Sequence, residues 1–173
     1  IEGLHGARNE SAYVQFHRCV YTTVGRLEQE KEKGQTVRAG EALTRLSNEW
    51  RVNGPVDHAF EAYYRAAAEE MVRCMAKAIA TEKGRYERDE WAVDVGRRKI
   101  TITPDRVLIA PDGIVRVQRI RTGRETQSEA QKAIYALLRR GAAARYPGKP
   151  LLIETFYLAT GKQVAVVPKN DDK

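Results

Sequence analysis

Arginine recurs at a two-residue interval near the middle of this 173-residue chain, in Arg119-Ile120-Arg121-Thr122-Gly123, with Arg124 directly after it. In an extended segment residues two apart project from one face, so Arg119 and Arg121 form a side-by-side pair of guanidinium groups. A guanidinium stays protonated and donates in a planar fork that matches phosphate oxygens. It has no lone pair for a metal ion and cannot act as a general base. The chemistry such a pair supports is anion binding, and with Arg106 and Arg124 nearby it makes a cluster suited to a phosphodiester backbone. Asp105 precedes Arg106, and downstream Gln131 and Tyr135 lie one helical turn apart and face the same way. A solitary histidine, His17, sits far upstream in a helical pattern, where histidine is most often a structural hydrogen-bonding residue.

The surrounding charge has the same sense. Between Gly96 and Lys149 thirteen basic residues stand against four acidic ones, while the whole chain carries +7, so the remainder is slightly acidic. Positive charge gathered around one segment is the footprint of a nucleic-acid backbone site, and a solubilising surface is the other reading of the same count. At 42% hydrophobic and 31% charged the composition is that of an ordinary globular domain. No apolar run approaches the ~20 residues of a membrane span and no export signal is present, so a cytoplasmic, nucleoid-associated location without membrane contact is expected. Cys19 and Cys74 cannot make a four-ligand zinc or iron–sulfur site and read as buried free thiols. The chain opens on Ile1, as a segment of a longer protein would.

Helices and strands must hold these groups in place. Residues 1–10 have no period and read as a flexible lead-in; 11–167 read as one domain, helical over 11–83 and sheet plus helix over 85–167; 168–173 form a polar tail. Helical spacing predicts a helix from Ser11 to about Lys33 ending at Gly34, and a second over Ala39–Val52 ending at Asn53-Gly54-Pro55. A third, capped by Asp57, runs to about Lys83, and its residues from Phe60 and Tyr63 through Met71 to Ile79 read as a core-facing stripe. Tyr86 to Val95 begins a sheet, and Gly96-Arg97-Arg98 turns into Lys99 to Thr103. Apolar alternation through Ile100, Ile102, Val107 and Ile109 stops at Ala110-Pro111-Asp112-Gly113 and resumes from Ile114 to Ile120, the pattern of a β-hairpin. The period then changes to that of a helix over Ser128–Arg145, followed by strands at Leu151–Leu158 and Gln163–Val167 joined through Thr160-Gly161. The expected fold class is α/β or α+β, with a central mixed sheet flanked by helices and a helical N-terminal region.

This order and its motifs resemble the PD-(D/E)XK nuclease superfamily, specifically the RecB-type branch associated with UvrD-like helicases. The resemblance spans roughly His17 to Tyr135 and rests on Asp105-Arg106 ending one strand, Thr122-Gly123 closing the next, and Gln131-x-x-x-Tyr135 on the following helix. It implies a restriction-endonuclease-like core in which Asp105 and a neighbouring Asp-x-Lys would hold magnesium or manganese, His17 would contribute to the metal site, and Gln131 and Tyr135 would lie beside it. Here Arg119 and Arg121 stand where the resemblance calls for the carboxylate and the lysine, and Pro104 precedes Asp105 where glycine is common. The site therefore reads as vestigial over His17, Asp105, Arg119, Arg121, Gln131 and Tyr135, with no cofactor and no metal. An internal ion pair between Arg119 and Asp105 is an equal expectation.

Three functions follow. The leading one is an inactive nuclease-like domain that binds DNA, single- or double-stranded, through Arg106, Arg119, Arg121, Arg124, Gln131 and Tyr135, as part of a helicase or repair and recombination protein. The second is an active magnesium- or manganese-dependent nuclease whose second carboxylate has moved to Asp94, Glu90 or Asp112. The third is a protein-docking module of a larger DNA-processing enzyme.

Overall fold

Ser11 opens the first helix by accepting the N–H of Val14 on its hydroxyl, and Lys33 closes it just before Gly34, which takes a left-handed φ of 75°. The computed structural model describes residues 10–123, 125 and 133–167. Helix α1 (Ala12–Glu32), α2 (Ala39–Asn53) and α3 (Glu61–Thr81) are followed by strands β1 (Arg85–Glu87), β2 (Trp91–Val95), β3 (Arg98–Ile102), β4 (Arg106–Ile109) and β5 (Val115–Arg121). Helix α4 (Ala133–Arg145) and strands β6 (Leu151–Tyr157) and β7 (Lys162–Ala165) complete the order. No helix among the described residues is long and apolar enough to cross a membrane.

Five strands form one mixed sheet in the order β1-β4-β5-β6-β7. β4 and β5 are the antiparallel hairpin expected from the Pro111-Asp112-Gly113 turn, in which Ala110 accepts the N–H of Gly113 and Asp112 accepts that of Ile114. β6 lies parallel to β5, so α4 serves as the crossover between them. Helices cover both faces, as a mixed α/β architecture requires. Helices α1 to α3 pack on one face against Ile120, Phe156 and Leu158, and α4 packs on the other against Val115, Val117 and Ile153.

Two expectations about the elements need correction. Ile100 and Ile102 do not continue into the hairpin strand: β3 pairs with β2 in a separate two-stranded sheet, since Pro104 has no N–H to carry the ladder onward. That small sheet lies against α4 so closely that a Cβ on Gly141 would sit 2.8 Å from Trp91 Cε3. The third helix starts at Glu61 with Phe60 as its N-cap, not at Asp57, and no side chain caps it. Its buried stripe is Ala68, Met71, Val72, Met75, Ala76 and Ile79, with Tyr64 packed on its edge, so Phe60 and Tyr63 are left exposed rather than core-facing. Cys19 is buried as expected, whereas Cys74 is only partly so.

Candidate nucleic-acid interface

The alternation of β5 places Val115, Val117, Arg119 and Arg121 on the α4 face, and the first two belong to the core under that helix. The last two emerge where the strand runs past the end of the packed layer. Asp105 lies just before β4, and because Arg106 pairs with Gln118 in the antiparallel register, Asp105 comes opposite Arg119. Both motifs cannot end their strands in a hairpin and still meet, so Asp105 stands at the entry of its strand and Arg119 and Arg121 at the exit of theirs. Asp105 Oδ2 accepts the N–H of Ile120 at 2.9 Å and lies 3.8 Å from Arg119 Nε. The internal Arg119–Asp105 pair is present, at the long end of ion-pair range.

From α1, Tyr13, His17 and Tyr21 present one ridge at four-residue spacing to this corner. His17 and Tyr13 rings are 4.1 Å apart, and Thr122 Oγ1 lies 3.3 Å from His17 Nδ1. Tyr21 donates its hydroxyl to the Ile120 carbonyl at 3.0 Å, tying the helix to β5. Together these residues, Asp105, Arg119, Arg121 and Thr122 line a cleft of about 330 Å³. A second cleft of about 460 Å³ shares Tyr21 and Asp105 with it and is lined also by Glu28, Arg88 and Glu90. Tyr13 and Tyr21 escaped the sequence reading, although their spacing about His17 signals a shared helix face.

The structure thus brings His17, Asp105, Arg119 and Arg121 to one place. Arg106 is not with them. Adjacent strand residues point to opposite faces, and Arg106 is turned beneath α1 and α3, where it is 2% exposed. There it pairs with Glu82, lies with Nε 2.7 Å from Glu28 Oε1 but out of hydrogen-bond alignment, and donates to Gln118 and Tyr86 at 2.9 Å each. Gln118 passes the chain on to Glu154, and Arg88 holds the other oxygen of Glu28 at 2.6 Å. Burial alone would lower the Arg106 pKa, yet its hydrogen bonds and charge pairing with Glu82 and the charge of Glu28 raise it, so Arg106 is a permanently charged core residue and not a backbone contact. Tyr135 is likewise buried, its hydroxyl 2.7 Å from Thr155 Oγ1 and its ring 5.8 Å below the Arg119 guanidinium, so it supports the arginine from within instead of facing a strand. Arg124 and Gln131 lie outside the described residues.

No family model matches the chain, and no curated protein matches it.

Electrostatics decide what the corner can do. Burial lowers the pKa of His17, and Arg121 lowers it further, so the imidazole is neutral at neutral pH. Burial raises the pKa of Asp105 against the opposing pull of the Ile120 N–H, Arg119 and Arg121. The 330 Å³ cleft therefore holds one carboxylate beside two guanidinium groups and a neutral ring. A divalent ion placed there would meet each cation with a repulsion of roughly 4 kcal/mol per unit of its charge at 4 Å, taking an effective dielectric near 20. Among the described residues no three His, Cys, Asp or Glu side chains gather as a ligand set. The residues present do not fit a divalent metal, and they do fit a phosphate oxygen. Of the acidic residues that could supply a second carboxylate, Asp112 sits in the turn at the far end of the hairpin from Asp105, a full strand away. Glu90 lines the 460 Å³ cleft that Asp105 also lines.

Proposed function

We propose that this chain is a nuclease-like domain of PD-(D/E)XK type that grips a nucleic-acid backbone without cutting it, within a helicase or a repair and recombination protein. The observation that carries the reading is the pair Arg119 and Arg121 at the exit of β5, facing Asp105 in one cleft where hydrolysis would call for a second carboxylate. The wider arrangement supports it as well: the β4–β5 hairpin sets Asp105 opposite Arg119, and α4, the crossover to parallel β6, sets the Tyr135 ring 5.8 Å from the Arg119 guanidinium. Guanidinium forks bind phosphate oxygens bidentately, and the excess of basic over acidic residues between Gly96 and Lys149, the buried Arg106 apart, supports a longer-range attraction. DNA is the expected partner.

The test is incubation of labelled single- and double-stranded DNA with magnesium and with manganese, beside an Asp105→Ala variant. The expected result is DNA retarded by the protein and recovered intact. Cleavage that disappears in Asp105→Ala would overturn the proposal and favour a second reading, in which Glu90 across the 460 Å³ cleft supplies the missing carboxylate.

A further inference from the structure

The arginine corner adjoins a surface that backbone binding alone does not explain. α1 and α3 run parallel, with Phe16 against Tyr64 at one end and Lys31 Nζ donating to the Ala80 carbonyl at the other, so their N-termini lie side by side. At that end Tyr13, Phe60 and Tyr63 are 60%, 67% and 74% exposed. The rings of the two groups touch through Phe16, which is itself buried. Tyr21 stacks 6.0 Å from His17, which meets Phe16 at 5.1 Å; Phe16 meets Tyr64 at 5.6 Å; Tyr64 meets His58 at 5.6 Å and Tyr63 at 6.3 Å; and His58 meets Phe60 at 5.9 Å.

Helix packing does not call for this exposure. The buried stripe of α3 is satisfied by Ala68, Met71, Val72, Met75 and Ile79. A group of exposed rings on a folded domain marks a contact surface. One end of the series, Tyr13, His17 and Tyr21, lines the same cleft as Arg119 and Arg121. The occupant must therefore offer flat apolar groups at intervals along one part of its length and anionic groups at another. A single-stranded nucleic acid has both. A duplex does not, because its base faces are already stacked on one another.

We infer that Tyr13, Tyr63 and Phe60, continuous with the Arg119–Arg121 cleft, form a stacking track for single-stranded nucleic acid. This rests on the proposed backbone grip for its cleft end and adds the strand state and the path. Bases lie on the ring faces while the arginines hold phosphates where the track enters the cleft. A protein partner is the rival occupant, and Val52 and Val56, exposed in and just after α2, are the side chains it would add to the rings.

The experiment is a fluorescence-anisotropy titration at low salt with three probes: an oligothymidylate, a duplex of equal length and an abasic strand with the same backbone. The proteins are the wild type, Tyr13→Ala, Phe60→Ala, Tyr63→Ala, the ring-keeping Tyr13→Phe, Phe60→Tyr and Tyr63→Phe, and Arg119→Ala with Arg121→Ala. Circular dichroism confirms that each is folded, and the ring-keeping variants serve wherever an alanine variant is not. The wild type should prefer oligothymidylate over both other probes. Each alanine should weaken that probe by roughly 5- to 100-fold and leave the abasic strand unchanged, with the ring-keeping variants near wild type. Equal binding of oligothymidylate and abasic strand, insensitive to the ring substitutions but weakened by the arginine ones, would remove the track and leave the grip standing. Absence of binding to all three probes would remove both.

Discussion

At the scale of single residues the decisive pair is Asp105 and Arg119, and its chemistry has a pH signature. Burial raises the Asp105 pKa above its ordinary value of 3.8. The native state therefore holds that proton more tightly than the unfolded chain does. The stability it contributes is present below the ordinary value and lost as pH rises through the raised native one. The same proton removes the carboxylate that faces Arg119, so affinity for a nucleic-acid strand should rise as pH falls through that raised value. Asp105→Asn should bind roughly 2- to 10-fold more tightly at neutral pH and lose most of that pH dependence, a modest gain because the pair is partly solvated. Titrations of both proteins across pH at fixed salt check it; weaker binding by Asp105→Asn would mean that the carboxylate assists the contact. The arginine pair was legible from the sequence because a two-residue interval on a strand fixes a common face. The position of Arg106 follows from that same rule, which sets it on the face opposite Asp105, but its acidic partners come from α1 and from the end of α3 and could not be read from local spacing.

At the scale of elements the buried chain Glu28–Arg106–Glu82, extended through Gln118 to Glu154, locks α1 and the end of α3 onto β4, β5 and β6. Glu28 has its pKa raised by burial, with Arg106 and Arg88 pulling it back, which is the condition of a carboxylate that depends on its partners. Arg106→Met should leave Glu82 without its cation and Glu28 with Arg88 alone, and cost about 3–5 kcal/mol of stability. Denaturant unfolding measures this, and binding by the fraction that remains folded should be intact. A loss below about 1 kcal/mol together with lost binding would return Arg106 to the interface. The helices and the β4–β5 hairpin were legible because apolar period and turn residues are local signals. The separate β2–β3 sheet was not, since alternation through Ile100 and Ile102 carries no information on which strand lies beside them. The start of α3 was missed for a related reason: Asp57 has the right chemistry for a cap, but the chain first makes a turn in which His58 Nδ1 accepts the Phe60 N–H.

At the scale of the whole molecule, charge and shape act together. Arg119 and Arg121, from the positive segment between Gly96 and Lys149, share their cleft with the exposed Tyr13 of α1, and the exposed Phe60 and Tyr63 stand at the start of α3 beside that end of α1. The charge excess was visible from composition. The ring series was not, because its members come from two helices and the turn before α3, and a helical stripe containing Phe60 and Tyr63 reads as core until the helix start is known. Phosphate contacts release counterions, so the logarithm of the binding constant should fall linearly with the logarithm of salt concentration, with a slope of about 0.7 per phosphate neutralised on a single strand. The most direct measurement is that slope for the wild type and for the Arg119→Ala, Arg121→Ala double variant on one oligonucleotide. The account predicts a shallower line for the double variant by roughly 1.4, the share of two phosphates. Two parallel lines would contradict it.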